Sequence, residues 1–440
     1  MLPASALPAS LIPILEIFRP CFTVPTFATF TALVTGLISR PRRRTVCGML
    51  VGAGLERVWP HDRAHSFFAR RVWSVEQVGL ALIGLVVTTL LGADDPIEVT
   101  VDDTLFQRAG RRVFGAFWQH NGSAKGPRKI GYGNCFVVVS IRIRLAFLDR
   151  AVGVPVLAGL HRKEGPTKVE MAARFIALVA AAFPGRQIHG VGDAAYHSKA
   201  LRTLPATVSW TCRLPRNAVL HQTTPPATGK RGRPRLKGDR LGIPTDLAER
   251  ADTCAGWTEH TLRLYDVVKT VRITEVSCLW YTPFHTQTVR VILVRNPATV
   301  SGYDLALVTT DLASPAERIL IRYGDRWTIE QVFLEVRHIL GAGEARNRVQ
   351  AAVERTVPFE LIVYSMVIIW YALHGQPEAD VAAHRTHAPW YTAKHQPSFE
   401  DMLITLRRTI IATRYTPTCP AQPTNHEIRA VQLAWEAAAA

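Results

Sequence analysis

The chain has 440 residues, enough for two or three domains with a sizeable core. Hydrophobic residues make up 48% and charged residues 20%, which is an ordinary globular composition. Lysine and arginine number 52 against 35 acidic residues, and the resulting net charge of +17 indicates a polyanionic partner. The 7 cysteines are scattered without a CxxC pair, which argues against a zinc finger and against a disulfide framework.

Residues 1–95 are predicted to form a helical N-terminal DNA-binding domain. Apolar residues recur at helical spacing over 30–38 and again from Val72 onward. Arginines cluster at 40–44 and 63–71, where they would grip DNA; an ordinary solvated helix face is the alternative. No basic region follows Met1, so we expect no signal peptide and a cytoplasmic protein.

Two apolar stretches, 78–93 and 361–373, need a separate explanation. Both fall short of the roughly 20 residues that span a bilayer. The second also contains tyrosines and a tryptophan. We therefore predict buried core helices, and no membrane partner.

Residues 96–204 have the pattern of an α/β domain. The alternation over 97–101 predicts a strand that ends at Asp102-Asp103. Further strands are predicted at 135–144, 154–160 and 187–191, with a helix at 168–183, and Asp193 closes the last strand. The order strand, strand, strand, helix, strand predicts a mixed sheet.

The predicted secondary structure changes twice in the rest of the chain. Residues 205–315 are predicted to be a β-rich insertion with a basic loop, with strands at 207–214, 261–264, 271–281 and 288–294. Helices return near Ser314, so 316–375 is predicted to complete the α/β domain. Residues 376–440 are predicted to form a C-terminal helical tail.

One predicted helix, from Tyr323 to Arg337, carries an unusual stripe. At about 100° per residue, Tyr323, Arg326, Glu330 and Arg337 all project from one narrow face. Such a face could bind a metal ion through Glu330 and phosphate through its arginines. The alternative is an ordinary ion pair between Arg326 and Glu330 on an exposed helix.

Two aspartates strengthen the metal interpretation. Asp102 and Asp193 each follow a core strand, where an unpartnered carboxylate is costly to bury. If the two aspartates converge with Glu330, the three carboxylates would hold two divalent cations, Mg²⁺ or Mn²⁺, which can clamp a phosphodiester. Asp102, Asp193 and Glu330 are therefore the candidate catalytic and metal-binding residues.

These residues resemble a known family. The pattern Tyr-x2-Arg-x3-Glu-x6-Lys is the signature of one branch of bacterial insertion-sequence DDE transposases, and this chain matches it at Tyr323, Arg326 and Glu330, with Arg337 in place of the lysine. The segments 101–104 and 191–196 are similar to those that carry the first and second aspartates of the family. The resemblance covers roughly residues 60–375.

The resemblance implies an RNase H-like mixed sheet flanked by helices and interrupted by a β insertion. Asp102, Asp193 and Glu330 would bind the metal ions, with Asp103 as the alternative first ligand. Asp102 is favoured because Asp102-Asp103-Thr104 then matches the Asp-x-Thr pattern that is common at the first aspartate of the family. Tyr323, Arg326 and Arg337 would contact phosphates of the transposon ends. A homodimer on double-stranded DNA would nick the transposon ends by hydrolysis and transfer the freed 3′-hydroxyls to target DNA, in cut-and-paste transposition.

A further motif lies in the predicted insertion. The segment 230–235, Lys-Arg-Gly-Arg-Pro-Arg, resembles an AT-hook that lies in the narrow minor groove of A·T-rich DNA. Its arginines Arg231, Arg233 and Arg235 would reach along the groove floor. The alternative is a basic loop that binds phosphates without preference, and both interpretations predict DNA contact.

Three other functions fit parts of the pattern. A transposase-derived DNA-binding protein would keep the carboxylates but lack activity. Another RNase H-like nuclease would act on RNA–DNA hybrids or junctions. A membrane protein would be built around the two apolar stretches. The presence of all three carboxylates favours an active transposase, associated with the bacterial nucleoid.

Overall fold

The computed structural model describes residues 7–40, 44–122, 124, 128–223, 225, 235–264, 267–415, 425 and 429. Within them a mixed sheet is flanked by helices, so the predicted α/β class is confirmed. The helices are α1 (Ile12–Glu16), α2 (Val24–Ser39), α3 (Val46–Gly52), α4 (His61–Ala69), α5 (Val75–Leu90), α6 (Lys168–Ala182), α7 (Pro244–Thr253), α8 (Tyr281–Phe284), α9 (Ala316–Gly324), α10 (Thr328–His338), α11 (Gln350–His374), α12 (Pro377–His387) and α13 (Phe399–Tyr415).

Ten strands form one sheet, and two short strands pair separately. The strands are β1 (Ile97–Gln107), β2 (Phe117–His120), β3 (Ile130–Arg144), β4 (Ala151–His161), β5 (Ile188–Val191), β6 (Val208–Arg213), β7 (Leu220–His221), β8 (Arg240–Gly242), β9 (Thr258–Leu264), β10 (Val267–Cys278), β11 (Val289–Arg295) and β12 (Leu305–Thr309). The order along the large sheet is β2-β3-β1-β5-β6-β12-β11-β10-β9, and β4 also pairs with β3.

β1 has both kinds of neighbour in this sheet. It is antiparallel to β3 and parallel to β5, while β5 is parallel to β6. Parallel strands are usually covered on both faces, and the first five residues of β1 are all buried. Its polar residue Glu98 is therefore buried as well, where Arg142 of β3 forms an ion pair with it.

The strands predicted for 205–315 continue this sheet. β6 pairs with β5, and β12, β11, β10 and β9 follow it by antiparallel pairing. The predicted strands near 207–214, 261–264, 271–281 and 288–294 are all present as β6, β9, β10 and β11. β2 and β12 were not predicted.

Two predicted boundaries were wrong. β1 does not end at Asp102 but continues to Gln107, because the fifteen-residue β3 pairs with it as far as Gly133. Both aspartates of the doublet therefore lie within a strand. The single helix predicted from Tyr323 to Arg337 is two helices, α9 and α10, joined by a 3-10 turn at Asp325–Trp327.

The N-terminal helices share a core with the rest of the chain. Phe67 and Phe68 of the predicted arginine-rich segment are buried, and both rings contact Phe359 of α11. Phe22 and Phe30 complete this aromatic cluster. The predicted helical character is confirmed, and the role of these helices in DNA binding stays a prediction.

The longest helix, α11, lies in the protein interior. It has 25 residues and is long and apolar enough to cross a membrane, but 89% of its most apolar window is buried inside the protein. It packs along β4 and α5, where the hydroxyl of Ser365 donates a hydrogen bond to the carbonyl of Pro155. These contacts are those of a core helix, as the sequence predicts.

Glu360 of α11 provides a stability test. It is fully buried, and burial raises the pKa of its carboxyl well above the ordinary value against the attraction of Arg108. A raised pKa in the folded state means that stability is lost as the pH rises above the pKa of the unfolded chain. We therefore expect Glu360→Gln to raise the Tm relative to wild type by an amount that grows from pH 5 to pH 8.

Differential scanning fluorimetry of both proteins across this range measures the difference. Glu249→Gln, at an exposed position of α7, is the matched control. A difference in Tm between Glu360→Gln and wild type that stays constant with pH would contradict the buried, protonated state of Glu360.

Candidate active site

Asp102 provides the first carboxylate of the site. Its side chain leaves the middle of β1 toward the turn between α9 and α10. One oxygen accepts a hydrogen bond from Arg326 Nη1 at 3.0 Å, and the other accepts one from the backbone N–H of Asp103 at 2.8 Å. The carboxylate is therefore held on both sides while it is largely buried.

Asp193 lies two residues beyond the end of β5, level with Asp102 of β1. Thr100 of β1 pairs with Val191 of the parallel β5, so the residues two positions farther along each strand lie side by side. One oxygen of Asp193 accepts a hydrogen bond from the backbone N–H of Ala195 at 2.7 Å, which fixes the turn after β5. Parallel pairing thus brings the two aspartates together.

Gly192 allows the approach of this turn to the core. A Cβ at this position would lie 2.7 Å from the ring of Trp210 and 2.7 Å from the side chain of Tyr196. Trp210 in turn donates a hydrogen bond to the carbonyl of Tyr196 at 3.1 Å. The glycine before Asp193 is therefore required by close packing.

Glu330 and Arg326 reach the aspartates from the helical side. Glu330 lies in the first turn of α10, and its carboxylate accepts a hydrogen bond from Arg326 Nη2 at 3.3 Å. Since Arg326 also bonds Asp102, its guanidinium bridges the first and third carboxylates. The ion pair between Arg326 and Glu330 that the helical spacing allowed is therefore present, but it is part of a larger cluster.

The charges of the cluster affect one another. Burial raises the pKa of Asp102 to about 7, with Arg326 opposing the shift and the charge of Asp193 adding to it. Burial also raises the pKa of Glu330, again against Arg326 and with a contribution from Asp193. Asp193 thus lies close enough to repel both other carboxylates, and positive charge at this point stabilises all three.

The neighbouring residues Asp102 and Asp103 lie in different environments. Asp103 points away from Arg326, and its carboxylate binds Lys168 Nζ at 2.6 Å and accepts a hydrogen bond from the hydroxyl of Tyr196 at 3.1 Å. Asp102, and not Asp103, therefore lies with Arg326 and Glu330. Asp103 instead ties β1 to the segment that follows Asp193.

A groove of about 600 Å³ adjoins the cluster. Its lining includes Arg326 and Tyr323 together with three residues that the sequence analysis did not select: Arg150, Arg213 and Trp327. Arg213 is exposed, and 52% of the surface of Trp327 is exposed. Cationic and aromatic side chains thus meet beside the carboxylates, a combination suited to a nucleic-acid strand.

Two further predicted DNA contacts, Arg337 and Arg235, are not among the residues that line this groove. Arg337 donates hydrogen bonds to the hydroxyl of Thr104 and to the carbonyl of Leu105, so it connects α10 to β1. Arg235 is exposed and pairs with Asp239 at 2.9 Å. The positions of Arg231 and Arg233 lie outside the described residues.

A buried ion-pair network holds the turn that carries Arg326. Asp325 binds Arg142 at 2.6 Å and Arg144 at 2.9 Å, and Arg142 also pairs with Glu98. Arg322 of α9 lies 3.5 Å from Glu98 as well. The sequence signal for this network was the presence of Arg142 and Glu98 within otherwise apolar strands, where a charge requires a partner.

The donor set fits a divalent metal ion. In the part of the chain that the structure describes, no three His, Cys, Asp or Glu side chains stand close enough to hold one ion together. Asp102, Asp193 and Glu330 nevertheless offer only carboxylate oxygens, the ligands that Mg²⁺ and Mn²⁺ prefer. Arg326 supplies positive charge between two of them.

Comparison with known proteins assigns the family. The model of the DDE superfamily endonucleases matches residues 17–274, more than half of the chain. The chain belongs to the DDE superfamily endonucleases. Enzymes of this superfamily use divalent metal ions. The matched residues include Asp102 and Asp193 and end before Glu330.

The curated proteins and the solved structures do not assign a function more specific than the family. None of the curated proteins matches the chain. A cryo-EM structure of the piggyBac transposase synaptic complex with hairpin DNA is similar, with a TM-score of 0.41 and 10% sequence identity, over 98% of this chain and 82% of that chain. A likeness at this level is too distant to assign a function.

Substitution of each member of the doublet distinguishes their roles. We expect Asp102→Asn to weaken Mn²⁺ binding by at least about tenfold, because it replaces a charged carboxylate with a neutral amide that has only one oxygen. Asp103→Asn keeps an oxygen for Tyr196 and is expected to change the affinity less than about threefold. Isothermal titration calorimetry of the full chain measures both, and the reverse pattern would assign the ligand to Asp103.

Proposed function

We propose that this endonuclease is a transposase that binds transposon ends, cleaves them and transfers the freed strands to target DNA. The observation that carries the proposal is the convergence of Asp102, Asp193 and Glu330 around Arg326, beside a cationic and aromatic groove. The net charge of +17 suits a DNA partner. The match to the Tyr-Arg-Glu-Lys signature of bacterial insertion-sequence transposases supports the same function.

The proposal includes an RNase H-like catalytic fold. Its support is a mixed sheet in which β1 has β3 as an antiparallel neighbour and β5 as a parallel neighbour, with Asp102 on β1 and Asp193 just beyond β5. Glu330 then comes from a helix that packs on the same sheet, since a Cβ at Gly153 of β4 would lie 3.2 Å from the side chain of Val332 in α10. A sheet and one helix would thus provide all three carboxylates.

In this proposal each residue of the site has a distinct task. Asp102, Asp193 and Glu330 would hold two Mg²⁺ or Mn²⁺ ions, which activate the attacking water or 3′-hydroxyl and stabilise the leaving oxygen. Arg326, Arg150 and Arg213 would bind phosphates of the DNA strand in the groove.

The groove also explains how the strand would be oriented. Tyr323 is one of the residues that line the groove, and it is buried in an apolar cluster that includes residues of β9 to β12. Arg326 lies 5.9 Å from the centre of the Tyr323 ring. A phosphate bound by Arg326 would therefore be placed next to Asp102 and Glu330, the position that in-line attack on phosphorus requires.

Other parts of the proposal follow from the reaction. Two transposon ends must be held together for coupled cleavage and insertion, so we propose a homodimer on double-stranded DNA. Arg337 and the segment that contains Arg231, Arg233 and Arg235 would contribute further DNA contacts. The protein would act in the bacterial cytoplasm, at the nucleoid.

One observation favours a second function. Arg326 already forms ion pairs with Asp102 and Glu330, so these two carboxylates have a cationic partner without a metal ion. A transposase-derived protein that binds DNA without cutting it would keep this arrangement. The two functions differ in metal-dependent cleavage.

Cleavage of a plasmid that carries this gene with its native flanks tests the proposed function. We expect Mg²⁺- or Mn²⁺-dependent cuts at the borders of the element. Glu330→Ala is expected to slow them by at least about a hundredfold, because it removes a ligand of the ions. Glu249→Ala, at an exposed position of α7, is expected to cut as wild type does.

The other outcomes are equally informative. Tight DNA binding without cuts, in wild type and Glu330→Ala alike, would favour the DNA-binding protein. Cuts that persist in Glu330→Ala would show that the active site is elsewhere. Cleavage of RNA–DNA hybrids or four-way junctions in preference to the element's borders would indicate another RNase H-like nuclease.

A further inference from the structure

The hairpin of β2 and β3 presents an aromatic face. Trp118 pairs with Tyr132 and His120 pairs with Ile130 across the two strands, so these four side chains share one side of the hairpin. The ring centres of Trp118 and Tyr132 are 5.6 Å apart. We call the face formed by Trp118, His120, Ile130 and Tyr132 the hairpin face.

The hairpin face is open to solvent. The exposed fraction is 70% for Trp118 and 54% for Ile130. Neighbouring exposed apolar side chains on one face often mark a binding surface. The proposed site around Arg326 makes no use of this surface.

The charge around the hairpin face has one sign. Residues 104–134 contain no aspartate or glutamate, and their charged residues are Arg108, Arg111, Arg112, Lys125, Arg128 and Lys129. Arg111, Arg112, Arg128 and Lys129 are exposed, and none of these four forms an ion pair with an Asp or Glu that the structure describes. The surface therefore complements an anion that also offers flat apolar groups.

The hairpin lies beyond the same end of β1 toward which the strand runs after Asp102. β3 pairs with β1 at Val138 opposite Asp102, and it continues past the end of β1 to the hairpin. The six steps along β3 from Val138 to Tyr132 span about 20 Å at roughly 3.4 Å per residue. A DNA strand that passes the carboxylates can therefore reach the hairpin face.

We propose that the hairpin face binds unpaired nucleotides of the DNA strand that leaves the active site. Bases would stack on Trp118 and Tyr132, and Arg111, Arg112 and Arg128 would bind the phosphates. Aromatic platforms flanked by cations bind single strands in this way, since every base has a stacking face. The inference rests on the proposed function in that DNA is the substrate.

Fluorescence anisotropy with labelled oligothymidine tests the proposal in the full chain. We expect Trp118→Ala to weaken single-strand binding by about five- to a hundredfold, the effect of removing one stacking aromatic. Binding to a blunt duplex of equal length is expected to change much less. Trp118→Phe, which keeps a ring, is expected to retain most of the affinity.

Trp390→Ala provides the matched control. Trp390 is exposed to 71% and also has a tyrosine ring beside it, Tyr391 at 6.1 Å. We expect its loss to leave single-strand binding unchanged. Thermal unfolding of each variant checks that the fold is kept, and Trp118→Leu provides a second non-aromatic variant that preserves bulk.

Removal of charge gives a second readout. We expect Arg111→Gln with Arg112→Gln to reduce the slope of log affinity against log salt by about one unit per lost phosphate contact, in an oligothymidine titration. An unchanged slope would contradict the phosphate contacts of the hairpin face.

The outcomes separate this inference from the proposed function. If wild type binds duplex DNA but Trp118→Ala and Trp118→Leu bind oligothymidine as wild type does, the hairpin face is not the single-strand site. Equal losses on single strand and duplex would show that it binds paired DNA instead. If wild type binds neither, both this inference and the proposed function are wrong.

Discussion

The bridge from Arg326 to Asp102 and Glu330 is the interaction on which the site depends. Three carboxylates meet where two neighbouring parallel strands and a helix converge, and their mutual repulsion in a largely buried place would be costly without compensation. Arg326 supplies that compensation, and its own pKa is raised, since the nearby carboxylates outweigh the effect of burial. Burial nevertheless raises the pKa of Asp102 to about 7, so the charge of Arg326 does not fully offset the desolvation of this carboxylate.

The position of Arg326 depends in turn on charges farther along the sheet. Asp325, its neighbour in the 3-10 turn, is fixed by Arg142 and Arg144, and Glu98 binds the other side of Arg142. Buried ion pairs contribute little net stability after desolvation, but the loss of one partner leaves the other charge unpaired. The network therefore fixes the geometry of the turn rather than adding to the core, and it connects α9 and the turn to β1 and β3.

The elements with clear periodicity were predictable. The helix at 168–183 and the strands near 135–144 and 187–191 are present as α6, β3 and β5, because their apolar faces match the period of each element. The end of β1 was not predictable, since a polar doublet within a strand is tolerated only when each carboxylate finds a partner on its own face. Those partners, Arg326 and Lys168, are distant in sequence. The groove residues Arg150 and Arg213 come from different elements for the same reason, and only the fold brings them together.

A crystal structure of the protein grown with MnCl₂ tests the central claim most directly. The account predicts anomalous density for Mn²⁺ at about 2.1 Å from carboxylate oxygens of Asp102, Asp193 and Glu330, as expected for a small hard divalent cation. It also predicts that Arg326 turns from Asp102 toward the groove, because the metal ion replaces its charge. Absence of density at saturating MnCl₂, with Arg326 still bonded to Asp102 and Glu330, would contradict the account.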